Sequence, residues 1–139
     1  MTYYVDPERD QFEAFKELPR DKPITMLNML RFRDKAQYED GRDATGAAAY
    51  AAYGRESGPI FGRVGGKILW RGNPEVMLIG PGDKRWDLVF CAWYPTASAF
   101  LEMVTDPDYR LAVKHRQAAV LDSRLIRMSE ISGGQGFAD

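Results

Sequence analysis

The sequence predicts an α+β fold: a short N-terminal helix, then strand, helix, strand, strand, helix, strand. That order is the ferredoxin-like βαββαβ unit on a four-stranded antiparallel sheet. Three observations carry it. Apolar runs of strand length alternate with stretches in which apolar residues recur at three and four. Turns punctuate them at Gly65-Gly66 and Gly80-Pro81-Gly82. The first and third strands are apolar at both parities, so both faces of the sheet are covered. The helices of one unit cover only one face. The other face predicts a second copy of the chain, related by two-fold symmetry.

Asp6-Pro7-Glu8 starts the N-terminal helix, because Asp can cap, Pro suits the first helical position and Glu favours the positive dipole end. Phe12, Phe15 and Leu18 give its stripe, and Pro19 ends it. Residues 24–32, ITMLNMLRF, form the first strand. Ile24, Met26 and Leu30 lie on one face, and Leu27 and Met29 on the other; Asn28 and Arg31 interrupt opposite faces. DKAQYEDGRD reads as an exposed, mobile loop. Thr45 caps a helix to about Phe61, with Ala49, Tyr50, Tyr53, Ser57 and Ile60 on one face. A kink or break is expected at Gly58-Pro59. Residues 67–80, KILWRGNPEVMLIG, read as one long strand with a bulge at Gly72-Asn73-Pro74. WDLVFCAWY, 86–94, is the third strand. Pro95-Thr96 opens a helix striped by Ala99, Phe100, Met103 and Val104. Asp106-Pro107 restarts the chain as a helix from Tyr109 to Asp122, and SRLIRMSEI, 123–131, is the last strand. The chain reads as a single domain, 1–139. Residues 1–22 are a helical extension, 23–131 the core and 132–139 a tail. Tyr53, Phe90, Phe100 and Val113 fall on covered faces and are expected in the core.

Composition bounds the partners. Of 139 residues 45% are hydrophobic, enough for a real core, and 19 basic residues stand against 20 acidic ones. A net charge of −1, with both signs interleaved, gives no reason to expect nucleic acid or an anionic membrane. No apolar run approaches the ~20 residues of a membrane-spanning helix. Cys91 is alone, which excludes an intrachain disulfide and a cysteine metal cluster. With no secretory signal pattern, a soluble cytoplasmic protein is expected.

NMLRF on the first strand, GGKILWRG with VMLIG, WDLVFCAWYPT leading into AFLEM, then DPDYRLAVKHR and DSRLI resemble the domain-of-unknown-function family 1330. The resemblance covers roughly residues 23–128. It implies membership of the dimeric α/β-barrel superfamily: a two-fold homodimer whose sheets close into a barrel, with a pocket between sheet and helices in each subunit. It implies no activity. Cousins in that superfamily include cofactor-free monooxygenases, muconolactone isomerase, haem peroxidases and haem-degrading enzymes. The haem-degrading cousins pair a first-strand Asn with a Trp and a His on the last helix. Asn28 and His115 match two of these roles, but position 105 is Thr.

Arg116 is the residue on which the rest turns. It lies amid Ala112, Val113, Ala119 and Val120 on the apolar arc of the last helix, so its charge needs a partner. That partner is an internal acid such as Glu56 or Asp87, a helix end, or the carboxylate or enolate of a ligand. His115 beside it is either a general base or a half-exposed surface residue. Asn28 needs hydrogen-bond partners and could orient a ligand carbonyl. Tyr50, Tyr53 and Tyr109 pack as aromatics and could turn hydroxyls into a pocket, Tyr53 being a second candidate for proton transfer. Trp70 and Trp93 suit core or dimer interface, and Trp93 could also wall the pocket. GRVGGKI does not fit a phosphate loop, and a lone histidine makes a zinc site improbable. The reading is therefore a small-molecule-binding protein without metal or cofactor. It extends to a cofactor-independent enzyme, monooxygenase- or isomerase-like, acting on an anionic or enolisable aromatic substrate. A non-catalytic sensing module and a haem-binding protein ligated by His115 are the alternatives.

Overall fold

A computed structural model describes residues 2–138. The elements are α1 (Arg9–Glu17), β1 (Ile24–Phe32), α2 (Gly46–Arg63), β2 (Lys67–Gly72), β3 (Leu88–Tyr94), α3 (Ala97–Thr105), α4 (Pro107–Ala119) and β4 (Val120–Met128). The strands form one sheet in the order β2-β3-β1-β4, and every pairing is antiparallel. This is the ferredoxin-like α+β fold with an added N-terminal helix.

The register sorts the side chains onto two faces. Met26 lies opposite Ala92 and Arg127, Asn28 opposite Phe90 and Leu125, and Leu30 opposite Leu88 and Ser123. This face carries the helices. One cluster joins Ile24, Met26, Tyr94, Phe100 and Met103 to Ile60 of α2. A second joins Leu30 and Val120 to Ala49, Ala118 and Ala119, and Phe90 packs against both clusters. The opposite face carries Leu27, Met29, Val89, Trp93, Trp70 and Ile126. It stands open in the single chain, with Trp70 51% exposed.

Three caps fix the helices that frame the site. Thr45 Oγ accepts from the Ala48 N–H at 3.0 Å, and Thr96 Oγ from the Ala99 N–H at 3.1 Å. Asp106 ends α3 and caps α4. Its carboxylate accepts from the N–H groups of Asp108 (2.8 Å) and Tyr109 (3.3 Å) and pairs with Arg63 at 2.5 Å. Gly46 is required where α2 starts, because a Cβ there would lie 2.0 Å from the Arg33 carbonyl oxygen.

Several sequence expectations change. The first helix begins at Arg9; Asp6 does not cap it but accepts from Gln117 Nε2 at 3.2 Å. α2 runs through Pro59 without a break. Pro59 and Arg55 are exposed, so the carbonyl left unpaired one turn back meets water. The loop after β1 is pinned rather than free: the N–H groups of Arg33 and Gln37 donate to the carbonyls of Ala119 and Ala118 at 2.8 and 2.9 Å. α4 passes into β4 at Val120, three residues before the expected strand start. β2 stops at Gly72, because Pro74 has no N–H to continue a ladder. The expected continuation, Val76, Leu78 and Ile79, is 82–89% exposed. Phe100 is buried, whereas Tyr53, Phe90 and Val113 are half-buried because they face a cleft.

Candidate functional site

The cleft lies between the helix-covered sheet face and the helices, and has a volume of about 1460 Å³. Its floor is Met26, Asn28, Phe90, Ala92 and Leu125; α2, α3 and α4 give the walls, and the segment from Tyr4 through α1 gives the rim. Two aromatic runs wall it, the first reaching beyond it to Phe32. Phe32, Tyr50, Tyr53 and Tyr109 follow one another at ring separations of 5.1, 5.3 and 6.0 Å. Phe61, Tyr94, Phe100 and Phe15 do the same at 5.4, 5.3 and 5.1 Å. Such walls suit a flat apolar body.

Into these walls the fold sets cations. Arg116 reaches back from the last turn of α4. Its guanidinium donates to the Val5 carbonyl at 2.5 Å and to Ser123 Oγ at 3.3 Å. Arg127, on the floor side of β4, donates to the carbonyls of Phe15 (3.1 Å) and Pro19 (2.5 Å), which ties α1 down. Arg71 of β2 lines the same cleft. No carboxylate among the described residues forms an ion pair with any of the three. The acids expected for Arg116 are otherwise engaged: Glu56 with His115 at 2.6 Å, and Asp87 with the Phe32 N–H at 2.8 Å. Arg116 thus has neutral partners only, and its charge is directed at the cleft.

The polar groups beside these cations are neutral. Burial pushes the phenols of Tyr50 and Tyr109 far above the ordinary tyrosine range, and the Arg116 charge offsets only part of that. Both stay protonated at neutral pH. Tyr109 and Tyr53 share a hydrogen bond at 2.8 Å between their hydroxyls. Asn28 Nδ2 donates to the Met26 carbonyl at 3.1 Å, which turns its side-chain oxygen toward other partners.

The sequence-selected residues therefore divide. Asn28, Tyr50, Tyr53, Tyr109 and Arg116 converge on the cleft. His115 and Trp93 do not. His115 faces the outer side of α2 and the pinned loop. Its Nδ1 meets Tyr38 Oη at 2.6 Å and its Nε2 meets Glu56 at 2.6 Å, so both ring nitrogens are occupied. The ring therefore lies outside the cleft lining, away from the pocket position expected for a base or haem ligand. Trp93 points to the opposite sheet face, where Lys67 Nζ lies 5.2 Å from its ring. Sequence reasoning missed Arg71 and Arg127. Both sit in strands whose registers were needed to show which way they point.

With the geometry in hand, comparison with known proteins is informative. Residues 41–128, more than half of the chain, match the family described as a domain of unknown function, DUF1330. The chain belongs to the DUF1330 family. The matched range begins after β1, so residues 23–40 of the expected resemblance lie outside it. Among solved structures, the DUF1330 chain is similar to RPA0582, a protein of unknown function from Rhodopseudomonas palustris. The two are 56% identical, with 94% of this chain and 99% of that one covered and a TM-score of 0.91. Fold-level likeness extends to SnoaB, a cofactor-independent oxygenase from Streptomyces nogalater (15% identity, 85% and 99% covered, TM-score 0.51). It extends also to a dimeric ferredoxin-like protein of unknown function from Bacteroides fragilis (11% identity, 78% and 96% covered, TM-score 0.50). No curated protein matches the chain. No helix among the described residues is long and apolar enough to cross a membrane.

Proposed function

We propose that this DUF1330 protein binds an anionic small molecule with a flat, aromatic-sized body. One observation carries the reading: Arg116 faces an aromatic-walled cleft with neutral oxygens as its only side-chain partners among the described residues. An arginine so placed, with Arg71 and Arg127 lining the same cleft, makes the cleft electropositive. A carboxylate, phenolate or enolate supplies the missing charge. Calorimetric titration with 2-naphthoate and its neutral isostere 2-naphthamide tests this. The naphthoate should bind at least about tenfold more tightly, with the difference shrinking at high salt. Equal binding of the two, or no binding of either, would refute it.

A second reading, cofactor-independent turnover of an enolisable aromatic substrate, is favoured by the protonated phenols of Tyr50 and Tyr109. Donors held next to Arg116 suit the stabilisation of an enolate oxygen. The oxygenase activity named for SnoaB belongs to a chain 15% identical and supports only the plausibility of such chemistry on this fold. The carboxylates that line the cleft, Asp6 and Glu8, sit on its exposed rim. Binding is therefore the better-supported function.

We also infer that the chain works as a homodimer through its open sheet face. Leu27, Met29, Trp70, Val89 and Ile126 share that face, and a second copy is the partner that two-fold symmetry supplies at least cost. Sedimentation at micromolar concentration should give twice the 15.8 kDa chain mass, and a stable monomer would overturn the inference.

A further inference from the structure

β2 and β3 pair with one residue too many on β2. Lys67 lies opposite Trp93 and Ile68 opposite Ala92, but the next residue of β3, Cys91, lies opposite Trp70. Leu69 is the extra residue, a β-bulge. Its effect is on direction. In plain alternation Arg71 would share a face with Lys67 and point to the open side of the sheet. The bulge shifts the alternation by one, so that Arg71 stands opposite Phe90 and joins Ile68 on the cleft side. Along that register row the floor of the cleft reads Arg71, Phe90, Asn28, Leu125.

Five arginines line the cleft, and Arg71 differs from three of them, Arg116, Arg124 and Arg127. Arg116 is tied to the N-terminal segment, Arg124 to Asp122 and Arg127 to α1, whereas the Arg71 side chain makes no hydrogen bond or ion pair with the described residues. Above the same row stands Tyr50 of α2, whose ring is set between Phe32 and Tyr53 and whose hydroxyl makes no hydrogen bond within the described chain. The charges of both Arg71 and Arg116 act on that phenol. A guanidinium and a hydroxyl without side-chain partners, and a second guanidinium with neutral partners, thus line the same cleft. Phe90 and Asn28 form its floor.

We propose that these three groups form the anion subsite: Arg71, aimed by the Leu69 bulge, and Arg116 clamp the acid group of the ligand, and the Tyr50 hydroxyl donates to it. The ligand class is an aromatic carboxylate or an enolic acid, with its ring over Phe90 and Tyr53 and its acid oxygens between the arginines. The proposal rests on the anion-binding reading given above and deepens it by naming the residues that hold the charge. Arg71 and Tyr50 are binding residues here, and no bond is made or broken.

The experiment compares 2-naphthoate and 2-naphthamide on the full chain and on Arg71→Met, Arg71→Lys and Tyr50→Phe, with a thermal melt of each free protein. Arg71→Met should weaken 2-naphthoate by about tenfold or more and leave 2-naphthamide within about twofold, because only the charged contact is lost. Arg71→Lys should recover part of the loss, since an ammonium keeps the charge but not the two-pronged geometry. Tyr50→Phe should weaken the naphthoate several-fold. The free Arg71→Met protein should melt no lower than the parent, as an unpaired cation is removed. If the parent prefers naphthoate and Arg71→Met keeps that full preference, the clamp is wrong while the anion-binding reading stands. If the parent shows no preference, both fail. A destabilised Arg71→Met would show that Arg71 has a structural partner and would also overturn the proposal.

Discussion

Replacing Arg116 by Met separates a ligand anchor from a scaffold ion pair in one melt. Met keeps most of the side-chain volume, so little cavity is created. Two hydrogen bonds are lost: a short one to the Val5 carbonyl (2.5 Å) and a long one to Ser123 Oγ (3.3 Å). Bonds from a charged donor are worth about 1.5–3 kcal/mol each when well formed. The longer contact counts for little, and the open cleft lets water reach the Val5 oxygen. No buried carboxylate is stranded, which is the event that costs about 3–5 kcal/mol. A loss of about 1–2 kcal/mol is expected, or roughly 3–8 °C in melting temperature for a domain of this size. It should be accompanied by looser N-terminal amides in hydrogen exchange. Differential scanning calorimetry of the free proteins is the assay. A loss above about 3 kcal/mol would mean that Arg116 neutralises an internal acid, and the cleft would lose its main claim to an anion.

Two further outcomes follow from the same frame. Asp122 is 1% exposed and accepts from the Tyr4 N–H (3.0 Å), Arg124 (2.8 Å) and Lys84 (3.2 Å). Burial alone would raise its carboxyl, but these three donors outweigh burial and hold it below the ordinary value. A lowered folded-state value adds stability that is present above the unfolded-state value, about pH 4, and is lost as pH falls from there through the lower folded-state value. Asp122→Asn should cost about 3–5 kcal/mol near neutrality, by leaving Lys84 and Arg124 unpaired. It should also flatten the acid limb of a urea-melt pH profile; an unchanged limb would remove Asp122 from this role. Thr96→Ala should cost about 1 kcal/mol through the lost cap on α3, read as a shift in the urea midpoint at constant slope.

The parts of this molecule that were legible in the sequence are those governed by local chemistry. The apolar run ITMLNMLRF was read as the first strand over residues 24–32, and β1 spans Ile24–Phe32. Asp106-Pro107 marked the join of α3 and α4, because Asp caps and Pro starts a helix. Helical phase put Arg116 and Tyr109 on one arc of the last helix and Tyr50 and Tyr53 on one face of α2, and all four line the cleft. What stayed hidden depends on register and on contacts distant in sequence. Arg71 points into the cleft only because of the Leu69 bulge, and a bulge is a relation between two strands. His115 has the phase of a pocket flank, but Tyr38 comes from 77 residues away to take its Nδ1. VMLI has the composition of a strand yet pairs with nothing, because Pro74 ends the ladder before it and Lys84 and Asp87 anchor the return to β4 and β1.

The central claim is that an acid group is held in the cleft by its arginines. Crystals soaked in 4-bromobenzoate test it most directly, since the bromine is located by its anomalous signal and the carboxylate lies opposite it on the ring. The account predicts one bromine peak per chain above Phe90, with the carboxylate directed at Arg116 and Arg71. Bromine found only on the open sheet face around Trp70 and Trp93, with the cleft holding water alone, would contradict it.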